Sequence, residues 1–255
     1  MKTVVLKFGG RSVATAQDFS EIANWIVARK KEFERVIIVI SAMGNTTDEL
    51  IRLAKEVHPE PPRREYDMLL TVGERISIAL LAMALSAKNQ EAISFTGSQT
   101  GIITCNRHSE ARVIDVKPHR LISHLDAGRV VIVAGFQGVS REGEITTLGR
   151  GGSDTTAVAL GVALNAVHVE FFKDVDGVYD SDPKCNSSAK WIPELTYEEA
   201  LQIASQGRFI LQTRSIELAK KNSIPLMIQT FKKENSNISW IRQLEFPRSQ
   251  ICHYE

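Results

Sequence analysis

Hydrophobic positions near the start of the chain follow two different patterns. The segments "TVVLKF" (3–8) and "RVIIVISA" (35–42) are continuous apolar, β-branched runs, typical of strands that are buried on both faces of a sheet. The segment between them has apolar residues close to the spacing of one helix face, namely Phe19, Ile22, Ala23, Ile26 and Phe33. Residues 3–42 therefore predict a strand, a helix and a second strand.

The same alternation continues through the rest of the chain. The spacing of Thr46 and Glu49 is that of a capping box and predicts a helix that begins at Thr46. Further helices are predicted at 68–87, 154–165, 197–206 and 213–222. Further strands are predicted at 91–95, 129–135, 166–175 and 225–231. Because strands alternate with helices, the predicted fold class is α/β, an open and mostly parallel sheet sandwiched by helices.

Small, polar or charged residues follow four of the predicted strands. They are Lys7 to Gly10, Ser41 to Gly44, Gly135 to Gly138, and Lys173 with Asp174. Ligands of open α/β sheets bind beyond the carboxyl ends of the strands. We therefore expect the functional site at this edge.

Composition excludes several classes of function. The chain has 31 Lys and Arg against 30 Asp and Glu, a net charge of +1, so neither nucleic acid nor a membrane surface is an expected partner. The start "MKTVVLKFGG" is not a signal peptide, and we find no apolar stretch near membrane-spanning length. The three cysteines are widely spaced, as expected of a reducing compartment. We predict a cytoplasmic protein.

Lys7, with Gly9 and Gly10, is a candidate phosphate site. Glycines let backbone N–H groups approach phosphate oxygens, and lysine adds a positive charge. A surface lysine beside a flexible turn is the competing interpretation. The chain has no Gly-Lys dipeptide, so it contains no Walker A loop.

The segment "TLGRGGSDTT" is a candidate anion site at a helix start. Free N–H groups there attract anions, and Arg150 has the geometry to bind a carboxylate through two hydrogen bonds. A capped helix with a solvent-facing arginine is the alternative. The sixth position of Gly149 to Asp154 is not glycine, which disfavours a dinucleotide-binding fingerprint and hydride transfer.

Two further candidates for ligand binding are a glutamate within an apolar helix and an acidic stretch. Glu74 lies within a strongly apolar helix and is either paired in the core or placed to meet a cation, such as a substrate amine. The acidic stretch "DVDGVYDSDPK" (174–184) could coordinate Mg²⁺ or surround a nucleotide, or be a plain loop. The six histidines have no metal-ligand spacing, and no metal site is predicted from the protein side chains alone.

Seven stretches, taken together, resemble the catalytic domain of the aspartate kinases, within the amino-acid kinase family. They occur in the family's order, and the resemblance they carry extends over nearly the whole chain to about residue 231. The stretches are "KFGGRSVA", "SAMGNTTDEL", "LLTVGERIS", "SFTGSQTGI", "VAGFQGV", "TTLGRGGSDTTAVAL" and "DVDGVYDSDP". The resemblance implies the carbamate-kinase-like fold and transfer of the γ-phosphate of MgATP to the β-carboxylate of L-aspartate, giving 4-phospho-L-aspartate. Its cofactors would be ATP and Mg²⁺.

The resemblance also implies roles for individual residues. Lys7 would hold the phosphates, and Asp154 would organise that lysine. The aspartate pocket would be formed by Ser41, Thr47, Glu74, Phe136, Arg150, Gly152 and Ser153, with Arg150 on a carboxylate and Glu74 near the amine. The nucleotide would contact Lys7, Gly9, Gly10, Ser12, Lys173, Asp174, Tyr179, Asp182, Pro183, Lys184 and Arg208.

Three departures from the family pattern fall on the nucleotide side. Lys173 stands where the family has Thr or Ser, and "VYDSDPK" replaces "VYTxDPR". A family lysine that reaches ATP falls on Phe209, and Arg208 or Lys173 is a candidate to supply its charge. A related kinase for another small acid, or a non-catalytic binding relative, therefore stays open as an alternative.

The resemblance also predicts domains and partners. Residues 1–231 would be the catalytic domain, with 1–165 mainly for the amino acid, 166–231 for the nucleotide, and 232–255 a C-terminal extension. Relatives commonly form homodimers. Typical relatives continue into paired ACT regulatory domains, which this sequence does not contain. If the sequence is complete, we expect no built-in feedback inhibition, or control by a separate regulatory subunit.

Overall fold

Eight strands form one sheet that runs through the centre of the molecule. A computed structural model of the 255-residue chain describes residues 1–181, 186, 188–205, 211–230 and 236–243. The strand order is β12-β14-β13-β9-β1-β2-β6-β3, and neighbours pair in parallel except for β13 with β14. The predicted open and mostly parallel sheet is confirmed.

Six strands of this sheet agree with the predicted apolar runs, whereas β12 and β14 were not predicted. Their bounds are β1 Thr3–Phe8, β2 Arg35–Ile40, β3 Ala92–Phe95, β6 Val130–Ala134, β9 His168–Phe172, β12 Glu194–Leu195, β13 Leu226–Gln229 and β14 Ser239–Ile241. The central strands β1, β6 and β9 are buried along their whole length, as continuous apolar runs predict.

Helices cover both faces of the sheet. The eight described helices are α1 Ala16–Arg29, α2 Thr46–Val57, α3 Arg63–Leu70, α4 Val72–Ser86, α5 His119–Asp126, α6 Gly152–Ala163, α7 Tyr197–Ser205 and α8 Thr213–Lys221. Because side chains alternate along a strand, Val4 and Leu6 of β1 pack with α1 and α4, whereas Val5 packs on the opposite face with α5 to α8.

A second sheet of four short strands lies beside the first. Its order is β5-β4-β7-β8, with bounds β4 Ile102–Thr104, β5 Val113–Val116, β7 Gln137–Ser140 and β8 Ile145–Thr147. A separate pair joins β10 Val178–Tyr179 to β11 Trp191–Ile192. None of these strands was predicted, because runs of two to four residues carry too little periodic signal.

The predicted helix at 68–87 is longer than expected and is interrupted by a turn. It begins at Arg63, and Thr71 separates α3 from α4. The carbonyl of Thr71 accepts a hydrogen bond from Gln137 Nε2 at 3.3 Å. The side chain of Gln137, in β7, thus holds the carbonyl of Thr71 between the two helices.

The expectation that no apolar stretch nears membrane-spanning length is wrong by length and composition. Arg63–Ser86 spans 24 residues and includes a window of mean hydropathy 1.8, of which 44% is buried. Glu74 and Ser77 of this stretch are buried in the protein. The core helix of a globular protein passes the same test, so the window is weak support for a membrane span.

The capping box predicted at Thr46 is also wrong. Helix α2 does begin at Thr46, but its N-cap is Asn45, and no side chain caps it. A capping box instead begins α1, where Asp18 and Thr15 bond each other's backbone N–H groups. The Thr46–Glu49 spacing lies one residue too far into the helix, because a capping box must start at the N-cap.

A buried ion pair joins the central strands to α1. Glu170 of β9 is fully buried, and both of its carboxylate oxygens accept hydrogen bonds from Arg29 Nη2 at 2.8 Å. His168 Nε2 and Gln229 Nε2 each lie 2.8 Å from the same carboxylate. Because the charge is paired and hydrogen-bonded, its burial is tolerated.

Candidate active site

The four polar strand ends lie side by side, as predicted. Strands β9, β1, β2 and β6 are consecutive neighbours in the sheet and run parallel. Ser41 N–H donates to the Phe8 carbonyl at 3.1 Å, and Gly135 N–H donates to the Ile40 carbonyl at 3.0 Å. The sheet therefore brings Lys173, Lys7, Ser41 and Gly135 to one edge.

A buried cluster of two lysines and one aspartate lies at this edge. Lys7 Nζ is 2.7 Å from Asp154 Oδ1, and Lys173 Nζ is 3.1 Å from Asp154 Oδ2. The exposed fractions of the Lys7 and Asp154 side chains are 7% and 6%. One carboxylate therefore balances two ammonium groups, so the cluster has an excess positive charge and favours an anionic ligand.

The ionisation of this cluster follows from its burial and its charges. Burial by itself would raise the pKa of Asp154, but the charges of Lys7 and Lys173 outweigh it and hold that pKa at about 2. Burial lowers the pKa of Lys7, while the charge of Asp154 opposes that shift. Asp154 is consequently ionised at neutral pH.

The glycines after β1 bring backbone next to Lys7. A Cβ placed on Gly9 would lie 3.6 Å from Lys7 Nζ, and one on Gly10 would lie 2.8 Å from the Ala42 carbonyl oxygen. Ser12 is buried at the end of a short helical turn, with its Oγ 3.5 Å from the Phe172 carbonyl. The close approach at Gly10 leaves no room for a side chain there.

Glu74 is placed at the same edge by the first turn of α4. Its Oε1 accepts a hydrogen bond from Ala42 N–H at 3.1 Å, and Gly73 lets the helix pack closely, since a Cβ there would lie 2.7 Å from Ala42 Cβ. Its other oxygen, Oε2, is buried and has no hydrogen-bond partner among the described residues. Burial raises the pKa of Glu74 to about 7, although Lys7 acts in the opposite direction. The free oxygen is available to a donor such as an amine.

The loop from β8 to α6 places a second set of predicted residues. Gly135 packs against Ser153, because a Cβ on Gly135 would lie 2.7 Å from Ser153 Cβ and Oγ. Phe136 has a left-handed backbone with φ of 69°, and its ring lies against Gly152. Ser153 and Asp154 are therefore held in the first turn of α6, where backbone N–H groups favour anions.

Arg150 and Thr47 lie at the open side of the site. Arg150 is exposed and is flanked by Gly149 and Gly151, both left-handed, with φ of 75° and 72°. Thr47 is partly buried in the first turn of α2. Neither side chain has a hydrogen bond or an ion pair among the described residues, so both are available to a ligand.

The predicted nucleotide side is described in part. Asp174 forms an ion pair with Arg11 at 2.9 Å, and Tyr179 Oη donates to Asp176 at 3.0 Å while accepting from Asn237 Nδ2 at 3.0 Å. Four predicted nucleotide residues, together with Phe209, lie outside the described residues, namely Asp182, Pro183, Lys184 and Arg208.

Arg11 was missed by sequence reasoning. It directly follows Gly9 and Gly10, and that adjacency was the available signal. Its partner Asp174 is 163 residues away, so the pair itself could not be found from spacing.

No protein cage for a metal ion is found in the described part of the chain. Those residues contain no group of three or more His, Cys, Asp or Glu side chains that could hold a metal. Mg²⁺ is commonly bound through substrate phosphates and water with few protein ligands.

A cleft of about 660 Å³ lies away from these residues. It is lined by parts of β5, α6 and α8, and none of the predicted site residues contributes to it. The candidate site is consequently identified by its charges and its position in the sheet.

The chain is similar in sequence to a family of known proteins. A sequence profile described as the amino acid kinase family matches residues 2–230. The aspartokinase of Corynebacterium glutamicum is 52% identical over 231 residues, which are 90% of this chain and 55% of that protein. The chain thus spans about half the length of the curated relatives it matches.

Two solved structures superpose closely on the chain. The aspartate kinase from Synechocystis has a TM-score of 0.84 and 40% identity, covering 96% of this chain and 40% of that one. E. coli aspartokinase III in complex with aspartate and ADP has a TM-score of 0.84 and 25% identity, covering 96% of this chain and 66% of that one.

Proposed function

Because the chain belongs to the amino acid kinase family, we propose that it transfers the γ-phosphate of ATP to the β-carboxylate of L-aspartate, giving 4-phospho-L-aspartate. The observation that carries this proposal is the buried cluster of Lys7, Asp154 and Lys173 at the carboxyl edge of the sheet. The likeness to aspartokinases at about half of all aligned positions supports aspartate as the acceptor.

The reaction needs positioning and charge more than proton transfer. The aspartate side chain, with an ordinary pKa of about 3.9, is already ionised at neutral pH, so its attack on phosphorus needs no general base. Phosphoryl transfer depends mainly on alignment and on stabilising the charge of the transferred group. Lys7 and Lys173 supply positive charge, and Asp154 holds both lysines at that place.

Different groups of the protein would bind the carboxylate and the amine of the acceptor. Arg150 would bind a carboxylate, with the N–H groups at the start of α6 and the Ser153 hydroxyl beside it. Glu74 Oε2, which is buried without a partner among the described residues, would accept a hydrogen bond from the amine. Ser41, Thr47, Phe136 and Gly152 would complete the pocket.

The nucleotide would lie along β1 and β9. Gly9, Gly10 and Ser12 would approach its phosphates, and Asp174 and Tyr179 would lie beside it, together with Asp182, Pro183, Lys184 and Arg208 from the part of the chain that is not described. Bound Mg²⁺ would neutralise phosphate charge, with phosphate oxygens and water as its ligands. In this proposal Lys173 supplies the charge that the family lysine at position 209 would provide.

A coupled ADP-release assay tests this function. MgATP or MgGTP would be offered with L-aspartate, L-glutamate and related acids, each against a blank without acceptor. We expect turnover with MgATP and L-aspartate. Turnover with a different acid would favour the related-kinase alternative, and ligand binding without turnover would favour a non-catalytic relative.

We infer that the protein forms a homodimer through α4. Val72, Ile76 and Met83 share one face of this helix, and their exposed fractions are 38%, 43% and 66%. A second copy would bury this apolar stripe. Light scattering should show a dimer for the wild type and a monomer for Ile76→Glu/Met83→Glu, whereas Val167→Glu, at an exposed apolar position outside α4, stays dimeric. A monomeric wild type would contradict the inference.

We also propose that the chain is divided into an amino-acid half and a nucleotide half, and that the protein is cytoplasmic. Glu74 and Arg150 precede residue 165, whereas Lys173 and Tyr179 follow it, which supports an amino-acid half at 1–165 and a nucleotide half at 166–231. Strand β14 lies within 232–255 and belongs to the main sheet, so that extension also contributes to the fold. The sparse cysteines support a cytoplasmic location.

A further inference from the structure

Asp67 of α3 is a fully buried carboxylate that the proposed mechanism does not use. It accepts hydrogen bonds from Thr147 N–H at 3.0 Å and Thr147 Oγ1 at 2.7 Å. It also accepts one from Ser109 N–H at 3.0 Å, and His108 Nδ1 lies 3.0 Å away. One side chain thus joins α3, the end of β8 and the loop at 105–111.

Arg150 lies only three residues after Thr147 in the sequence. Gly149 and Gly151, on either side of Arg150, have φ of 75° and 72°, a left-handed conformation that glycine adopts without steric cost. Because the segment is short, the position of Arg150 depends on where its two ends are held. Helix α6 is one of them, and Thr147, held by Asp67, is the other.

The loop at 105–111 also packs against the segment that carries Arg150. A Cβ on Gly149 would lie 3.2 Å from the Ser109 carbonyl oxygen, so the two backbones are in close contact. Ser109 itself has φ of 69°, which is unfavourable for a residue with a side chain. Its N–H is 3.0 Å from both oxygens of Asp67, which hold it in that conformation.

Asp67 is also connected to the turn that carries Glu74. Thr71 N–H donates to the Asp67 backbone carbonyl at 3.2 Å, and α4 begins at the next residue, Val72. The Thr71 carbonyl is held in turn by Gln137 at 3.3 Å. The helix pair that presents Glu74 and the segment that presents Arg150 therefore meet at one residue, Asp67, the first through its backbone carbonyl and the second through its carboxylate.

We propose that Asp67 is a positioning residue for the acceptor, which fixes the place of Arg150 relative to Glu74. The inference rests on the proposed function, in which these two residues bind the carboxylate and the amine of one amino acid. Asp67 itself touches neither substrate. Its loss misplaces the acceptor site and leaves the Lys7, Asp154 and Lys173 cluster in place.

The kinetic test compares Asp67→Ala with Asp67→Asn. A displacement of about 1 Å in a positioning group costs up to about 10²-fold, so we expect Asp67→Ala to raise the KM for L-aspartate roughly tenfold or more. The KM for ATP should change less than about twofold, since the cluster is intact. Asp67→Asn keeps an acceptor oxygen toward Thr147 N–H and should recover most of the aspartate affinity.

Glu170→Ala is the matched control. Glu170 is likewise a fully buried carboxylate, with four hydrogen bonds, but its partners are Arg29 of α1, His168 and Gln229, and none of them belongs to the Arg150 segment or to the loop at 105–111. Its loss should lower the melting temperature without a selective change in the KM for aspartate. Equal changes in both KM values for Asp67→Ala, or an unchanged KM for aspartate, would overturn the proposal.

Amide hydrogen exchange separates this inference from the proposed function. In folded Asp67→Ala, exchange should become faster at 106–110 and 147–151 than in the wild type, and Glu170→Ala should leave both segments unchanged. If the wild type does not phosphorylate aspartate, the proposed function fails, yet this comparison still decides whether Asp67 holds the Arg150 segment. Unchanged exchange in Asp67→Ala would reject that role.

Discussion

Replacing Lys7 by methionine tests the central charge of the proposed site. Lys7→Met keeps the length of the side chain and removes its ammonium group, which lies 2.7 Å from Asp154. Asp154 retains Lys173 at 3.1 Å, so the carboxylate is not left unpaired. The change therefore removes charge at the phosphates with little disturbance of packing.

Lys7→Met should affect the free energy of unfolding and the rate of turnover to different extents. Burial raises the pKa of Asp154, but the two lysines together outweigh burial and hold this pKa at about 2 instead of 3.8. A difference of that size corresponds to about 2 kcal/mol, which is fully present above the ordinary pKa of the carboxyl and is lost as the pH falls through about 2. This value is what remains after the two lysines offset the burial of Asp154, so it is not divided between them. Because Lys173 still pairs with Asp154, we expect Lys7→Met to remain folded at neutral pH. Turnover should fall roughly 10²-fold or more, as for removal of other preorganised donors.

The assay is coupled ADP release at saturating MgATP and L-aspartate, with thermal unfolding measured on the same samples. Lys30→Met is the control, because Lys30 is a partly buried lysine that follows α1 and donates to the Glu34 carbonyl just before β2. We expect this control to retain turnover. Near-normal turnover in folded Lys7→Met would refute the assignment of Lys7 to the phosphates.

Two further predictions concern the acceptor pocket. Burial raises the pKa of Glu74 to about 7, so the carboxylate that would meet the substrate amine forms only as the pH rises through that value. The kcat/KM for aspartate should therefore rise between about pH 6 and 8, and Glu74→Gln should lower it and flatten this part of the profile; an unchanged profile in the variant would exclude Glu74 as its source. Arg150→Lys should raise the KM for aspartate while the KM for ATP stays nearly constant, since lysine lacks the paired donors of arginine. Arg112→Lys is the control for that variant, and a larger effect on ATP would assign Arg150 to the nucleotide.

The fold was predictable where the chain has long apolar patterns. The strands β1, β2, β6 and β9 are runs of buried residues, and helix α1 has a regular apolar face. These patterns are strong because the strands are covered on both sides. The short strands β4, β5, β7 and β8 have only three or four residues each and depend on their neighbours for stability.

The location of the site was predictable from the sequence, but the ion pairs within the site were less so. Residues that follow parallel strands must meet at one edge, which placed Lys7, Ser41, Gly135 and Lys173 together. The approach of Lys173 to the same carboxylate as Lys7 depends on the register of α6 against β9, which no local pattern determines. The same reason hid the role of Asp67, whose partners lie 41 to 80 residues away.

The central position of β1 has a consequence for how the protein forms during synthesis. One neighbour, β2, follows within some thirty residues, but the other, β9, begins only at His168. Until β9 emerges from the ribosome, β1 is an open edge that carries Lys7 without Asp154 or Lys173 beside it. Contacts of such large sequence separation form late and slow folding. A nascent chain that stops before residue 150 would expose this edge, which makes such a fragment a natural client for chaperones.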